Sequence, residues 1–316
     1  MLEQSGDLCG LYVYWREHDA AAERNKLQFS SCFFQCFVVK YVEKKVIGGK
    51  SMKRICFIDT EVSETDQKAY DYGAVNEQNH RLHTGSAHEF QSFIADTAFL
   101  CGHNIIDHDT RYIQTPPQSK YIDTLFLSPL LFPNQHSYAL EKDDKLQTEE
   151  LNNPLNDALK AQELFFDEVT AFNALDEELK QIYYLLLKDS LYFGGFFEYI
   201  EFSAQGNLEP AILHRFSGQI CENAPISSMI LQSPAELAYC LALISATAEH
   251  ALIPRWVLMH YPKVHGIMHL LRGTPCGQCA YCKTQLDPTV YLKKYFGYPA
   301  FRTYNGEPLQ ERAVHA

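Results

Sequence analysis

The chain has 316 residues, 46% of them apolar, which is enough for a globular protein with two domains and a sizeable core and excludes a disordered one. A formal net charge of −12 excludes a protein that coats nucleic acid through bulk electrostatics. Ten cysteines spread over this length fit a reducing compartment, with some thiols available to a metal.

The charge is unevenly placed. From Arg255 onward eight Lys or Arg face three Asp or Glu, so the acidic excess lies in the first 250 residues. Carboxylates that hold divalent cations let an acidic protein act on a phosphodiester, because the metal offsets the local charge. No run of eighteen apolar residues occurs, and "CFFQCFVV" (32–39) is too short to span a bilayer. Residues 1–25 are polar and charged, unlike a signal peptide, so a cytoplasmic protein without a membrane partner is expected.

Residues 1–51 have few periodic patterns and read as an extension, either upstream sequence or a hairpin on a domain edge. Their end, "GGKS", is not a P-loop, because Lys44 stands where the first glycine is needed. Met52 opens "MKRICFIDTEV", which predicts a central strand. "AYDYGAV" (69–75) and the stretch near "HRLHT" predict neighbouring strands. "SAHEFQSFIA" (86–95) puts Phe90, Phe93 and Ile94 on one helical face. "AFLCGHN" (98–104) predicts a strand that runs into a helix at "IIDHDTRYI", and "YIDTLFLSPLLFP" (121–133) is an apolar segment ended by proline. "PLNDALKAQELFFDEV" (154–169) predicts a helix with Ala158, Ala161, Leu164, Phe165 and Val169 as its buried stripe. Beyond it the pattern is mostly helical, most clearly at "EELKQIYYLLL" and "PAELAYCLALISATAEHAL".

Asp59 and Glu61 are two residues apart at the end of the first strand, so their side chains share a face. Two like charges so placed repel unless a cation lies between them, and hard ions such as Mg²⁺ or Mn²⁺ suit carboxylate oxygens. Two-metal phosphodiester hydrolysis needs further acids around ions ~4 Å apart. Asp107 and Asp109 follow "GHN", and Asp157 lies one turn into the helix at 154.

"FIDTEV", then "GHN" with Asp109, then "PLNDALKAQELF" resemble, in order, the three motifs of the DEDD (DnaQ-like) 3′–5′ exonucleases. The resemblance covers about residues 52–172 and implies an α/β, RNase H-like mixed sheet flanked by helices. It implies Asp59, Glu61, Asp109 and Asp157 as ligands of two Mg²⁺ or Mn²⁺ ions, and Thr60, His103 and Asn104 as substrate contacts. Asp109 is preferred to Asp107 because the second motif reads G-H-N, three residues, an aromatic, then Asp, with His108 in the aromatic place. The family's general base is a His five residues before the last Asp or a Tyr four before it; these positions hold Asn152 and Asn153. Asn accepts no proton near neutral pH, which leaves His136 or His103 as substitutes, a metal-bound hydroxide, or a domain that binds without cutting.

"PCGQCAYC" spaces Cys276, Cys279 and Cys282 as C-x-x-C-x-x-C, so that three thiolates can converge on one centre, Zn²⁺ or [4Fe–4S]. Cys221 in "GQICENAP" is the favoured fourth ligand, with His260 and His269 as alternatives, whereas Cys240 in "LAYCLALI" reads as core. The string is also similar to the zinc module of RecQ helicases. A helical module over 173–285 is predicted to carry it. Residues 286–316 resemble the entry to a RecQ-type motor, matching at Phe296, Gly297, Tyr298, Phe301 and Arg302, with Gln310 eight residues after the Arg. The expected function is a metal-dependent exonuclease acting on single-stranded DNA or 3′ ends, joined to a helicase motor, in repair or recombination on the bacterial nucleoid. Tyr295 and Phe296 are candidates to stack on bases. The alternative is a catalytically impaired nucleic-acid-binding module that recruits or regulates a helicase.

Overall fold

The structure, a computed structural model, describes residues 54–140, 153–247, 251–298 and 300–315; the expectations for residues 1–51 and for Asn152 lie outside them. Strand β1 (Ile55–Val62) starts with four consecutive buried residues, as a strand covered on both faces must. It pairs antiparallel with β2 (Ala69–Asn76), which pairs antiparallel with β3 (Arg81–Thr84). On its other side β1 runs parallel to β4 (Phe99–Gly102), and β4 parallel to β5 (Lys120–Asp123). The five-stranded mixed sheet has the order β3-β2-β1-β4-β5.

Helices flank the sheet. Helix α1 (Ala87–Ile94) starts at Ser86, whose hydroxyl accepts the Glu89 N–H. Helix α2 (Thr124–Leu131) continues directly from β5 and is capped by Asp123. Helix α3 (Pro154–Ala174) has the strongest start signal: Asn153 accepts the N–H groups of Leu155 and Asn156, and Pro154 fills the first turn, where no backbone donor is needed. Beyond it the chain is helical: α4 (Glu177–Leu187), α5 (Gly194–Tyr199), α6 (Leu208–Arg215), α7 (Ile226–Gln232), α8 (Pro234–Ser245), α9 (Arg255–His260), α10 (Val264–Arg272), α11 (Ala280–Gln285), α12 (Pro288–Phe296) and α13 (Leu309–His315).

Strand alternation divides the core in two. Cys56, Ile58, Tyr72, Ala74 and Leu100 meet Phe90 and Ile94 of α1 and the loop residues Ile105 and Ile106. Ile55, Phe57, Val75, Phe99, Cys101 and Ile122 meet Ala158, Phe165, Val169 and Phe172 of α3, and this cluster runs on without interruption through α5 and α8 to α10. Tyr199 of α5 stands edge-on to both Phe99 and Phe165, with ring centroids 5.5 and 5.2 Å away. Each large side chain so buried is worth ~1.5–3 kcal/mol. Helix α8 is buried nearly all round, and its Cys240 packs as core, with the thiol directed at the Val264 carbonyl.

One local expectation changes. The segment after β4 is no regular helix: it forms turns and a short 3₁₀ helix at Asp109–Arg111. The cause is Asp123, whose carboxylate takes the N–H groups of Asn104 and Ile106, with Asn104 in the left-handed region at φ 67°. The apolar segment 121–133, read from the sequence without an element assignment, divides at Asp123 into strand and helix, and Pro129 is accommodated inside α2. Among the described residues no helix is long and apolar enough to cross a membrane.

Candidate metal and active site

Asp59 and Glu61 leave β1 on the face that carries Ile55 and Phe57, the face covered by α3. Asp59 stands opposite Gly73 in the β1–β2 ladder. Gly73 has no side chain to hold α3 away: a Cβ there would lie 2.1 Å from the carbonyl carbon of Pro154. The first turn of α3 therefore sits on the strand end, and Asp157 meets Asp59 and Glu61. One carboxylate oxygen from each of the three lies within 4.8 Å of the others, and all three groups are partly exposed. A cluster of oxygen donors only, reachable from solvent, fits a hard divalent cation.

Asp109 is not in this triad. It is buried beside Thr60, which faces the opposite side of β1 from Asp59 and Glu61, and the Thr60 hydroxyl donates to Asp109 Oδ1 at 2.7 Å. His108 lies with its Nδ1 3.8 Å from the same oxygen. The Asp109 carboxylate holds His108 above the usual imidazole range, with Glu61 adding a smaller pull. In the sequence His108 fills only the aromatic position of the motif; its pairing with Asp109 depends on the folded loop. Asp107, the other acid of the segment, is engaged elsewhere: Tyr192 donates to it at 2.9 Å, and His260 Nδ1 is 3.6 Å away.

Gly102 lets the end of β4 lie close against β1, because a Cβ would stand 2.8 Å from the Ile58 carbonyl oxygen. The His103 ring then turns toward α2, its Nδ1 3.0 Å from the Thr124 hydroxyl. Burial pushes its pKa down to about 4, opposed only partly by the Tyr138 backbone carbonyl, so the ring is neutral. Asn104 contributes its backbone N–H to Asp123 at 2.9 Å. Asp123 itself is fully buried and accepts three backbone N–H groups, from Asn104, Ile106 and Leu125. Burial pushes it up to about 7 against the pull of those donors, and nearby Asp109 adds to the rise. It orients the loop that carries Asp109. Its sequence signal was an Asp directly before an apolar helical run, the mark of an N-cap.

Of the positions that could carry a base, Asn153 is committed to capping α3 and His136 lies exposed in the loop after α2. The surface beside Glu61 opens into a cleft lined by Ser63, Glu64, Asp66, Lys68 and Tyr70.

The second cluster is made of thiols. Cys221, Cys276, Cys279 and Cys282 each bring sulfur within 4.8 Å of the others, so the sequence choice of Cys221 as the fourth member agrees with the geometry; His260 and His269 are not in the group. Cys276 is pulled down to about 5, first by the Cys279 N–H and then by the Asn223 side chain and the Gln278 N–H, while burial raises Cys282 to about 12 and also raises Cys221. Near the C-terminus Phe296 and Tyr298 are exposed, and Gln310 accepts the Arg302 backbone N–H at 3.2 Å. No family model, curated protein or solved structure matches the chain.

Proposed function

We propose that the end of β1 and the start of α3 form the centre of a metal-dependent 3′–5′ exonuclease acting on DNA. The observation that carries this is the meeting of Asp59 and Glu61 with Asp157, about a hundred residues apart in sequence, within 4.8 Å. The sheet order, with β2 antiparallel in an otherwise parallel set around β1, agrees with the RNase H-like architecture that the motifs imply.

Asp59, Glu61 and Asp157 would hold Mg²⁺ or Mn²⁺, while Asp109, buried against Thr60 on the opposite side of β1, stays outside that set. Such ions, when bound, lower the pKa of an attacking water and stabilise a leaving 3′ oxygen. Asp123 fixes the GHN loop through its three backbone bonds. Thr60 holds Asp109 in one orientation, with its hydroxyl as donor. His108, raised by Asp109, is protonated over a wider pH range than a free imidazole and offers a cation toward phosphate oxygens.

A second reading is a nucleic-acid-binding module that does not cut, favoured by one observation: Asn153, at the place of the family's tyrosine base, spends its side chain on capping α3. Incubation with 3′-labelled single-stranded DNA and Mn²⁺, beside Asp59→Ala, separates the two. Stepwise shortening by the wild type alone supports the nuclease. Equal, undetectable cleavage by both proteins, with DNA still retained, supports the binding module. RNA of the same sequence in a parallel tube tests the choice of DNA.

A further inference from the structure

The four-thiol cluster lies outside the nuclease reading and does not depend on it. We propose that Cys221, Cys276, Cys279 and Cys282 form a closed, mononuclear Zn²⁺ site that fastens the loop between α6 and α7 to the turn before α11, and that the group held there is not an iron–sulfur cluster.

The distances separate the two chemistries that the C-x-x-C-x-x-C spacing left open. Zn–S bonds of about 2.3 Å in a tetrahedron place neighbouring sulfurs about 3.8 Å apart. A [4Fe–4S] cubane, with one outward thiolate on each iron, spreads its four cysteine sulfurs to about 6 Å. The Cys279 and Cys221 sulfurs are 4.0 Å apart, and no pair in the group exceeds 4.8 Å. That space holds one ion and excludes a cubane.

The hydrogen bonds around the sulfurs point the same way. Backbone N–H groups are directed at three of them: Cys279 N–H at Cys276 Sγ, Cys282 N–H at Cys279 Sγ and Cys276 N–H at Cys282 Sγ, each at 3.4 Å. Asn223 Nδ2 adds a bond to Cys276 Sγ at 3.3 Å. Donors aimed at sulfur favour thiolates over thiols, and such outer bonds orient metal ligands. Gly277, at φ 70°, supplies the left-handed step that brings the first two cysteines round, with nothing near its Cα to crowd it. Cys221 is fixed from the other side, its N–H donating to the Leu271 carbonyl at the end of α10 at 2.8 Å. Three of the four cysteines are buried, and all four coordination positions are taken by sulfur. A centre with no open position is structural. Its ligands span residues 221 to 282, so the ion would link the loop after α6 to the segment that follows α10.

The test is the metal content of the full chain, purified without chelators or a metal-binding tag. The expected result is about one zinc per chain without iron or acid-labile sulfide. Protein made with Co²⁺ should show the intense visible bands of tetrahedral cobalt thiolate. Cys279→Ser should lose most of its zinc, and Cys240→Ser, which alters a core thiol outside the cluster, should keep it. If Cys279→Ser does not fold, the zinc stoichiometry and the cobalt spectrum of the unaltered chain decide alone. Iron with sulfide and a brown absorbance overturns the proposal, and so does a chain that holds no zinc and takes none up when it is supplied.

Discussion

Gly73 and Pro154 touch through their backbones across the seam between sheet and helix. A single added methyl at Gly73 would stand 2.1 Å from the Pro154 carbonyl carbon and 2.2 Å from the Leu155 nitrogen. Alanine in a strand interior gains ~0.5–1 kcal/mol over glycine from reduced chain entropy. Overpacking against backbone that cannot swing aside costs ~1–3 kcal/mol, so the clash wins. Gly73→Ala should lower stability in urea by about 1–2 kcal/mol and move Asp157 away from Asp59. Cleavage activity should fall further than stability does. An alanine variant with full activity would mean that the approach of α3 does not set the site.

The carboxylate triad predicts a metal-dependent stability. Saturation at a hundred times Kd adds about 2.7 kcal/mol to a protein that binds the ion only when folded. Mn²⁺ should therefore raise the melting temperature of the wild type but not that of Asp59→Asn or Asp157→Asn. Without metal both variants should melt at or slightly above the wild type, because each removes a like charge from the cluster. Their nuclease rates should drop at least ~100-fold, as losing a metal ligand removes several kcal/mol of transition-state stabilisation. Calorimetry with and without Mn²⁺ checks the first part and a labelled-DNA assay the second.

Asp123 should behave as a positioning residue. Asp123→Ala leaves three backbone N–H groups without their acceptor, at a cost of about 3 kcal/mol or more. Asp123→Asn keeps the oxygen used by Asn104 and Leu125 but turns an amide donor toward the Ile106 N–H, at a cost of about 1–2 kcal/mol. The alanine variant should unfold at clearly lower urea than the asparagine variant. Equal midpoints would show that the loop is held by something else.

His103 gives a pH signature. Its folded pKa of about 4 lies below the usual 6.5, so the unfolded chain binds the proton first as pH falls. The contribution of the neutral ring is complete above pH 6.5 and is lost progressively toward pH 4; from pH 7 to pH 5 that loss is about 2 kcal/mol. Asp123, raised to about 7, acts in the opposite sense, adding stability as pH falls from 7 toward 4. The informative quantity is therefore the difference between wild type and His103→Asn. Urea melts at both pH values should show the wild type losing its advantage at pH 5.

The elements legible in the sequence were those whose cause is local. The buried run Ile55–Ile58 and the capped start of α3 each carry their signal within a few residues. The cysteine spacing does too, and the choice of Cys221 followed from its loop-like setting. What escaped was caused at a distance. The turns after β4 depend on an acid that arrives about twenty residues later, so the apolar and acidic letters of "IIDHDTRYI" read as helix. The place of Asp109 on the Thr60 side of β1 depends on that same loop. Nothing near Gly73 in the sequence announces that a helix will start against it.

The aromatic continuity from Phe57 to Phe165, and from Phe165 to both Tyr199 and Phe196, has a consequence for modularity. Severed after Ala174, the sheet with its first three helices would present bare rings to water where α5 now lies, and would clump rather than stay in solution alone. Gene fusions or transplants of this unit succeed only if they take the helices along: the acids and their helical backing were shaped as one piece.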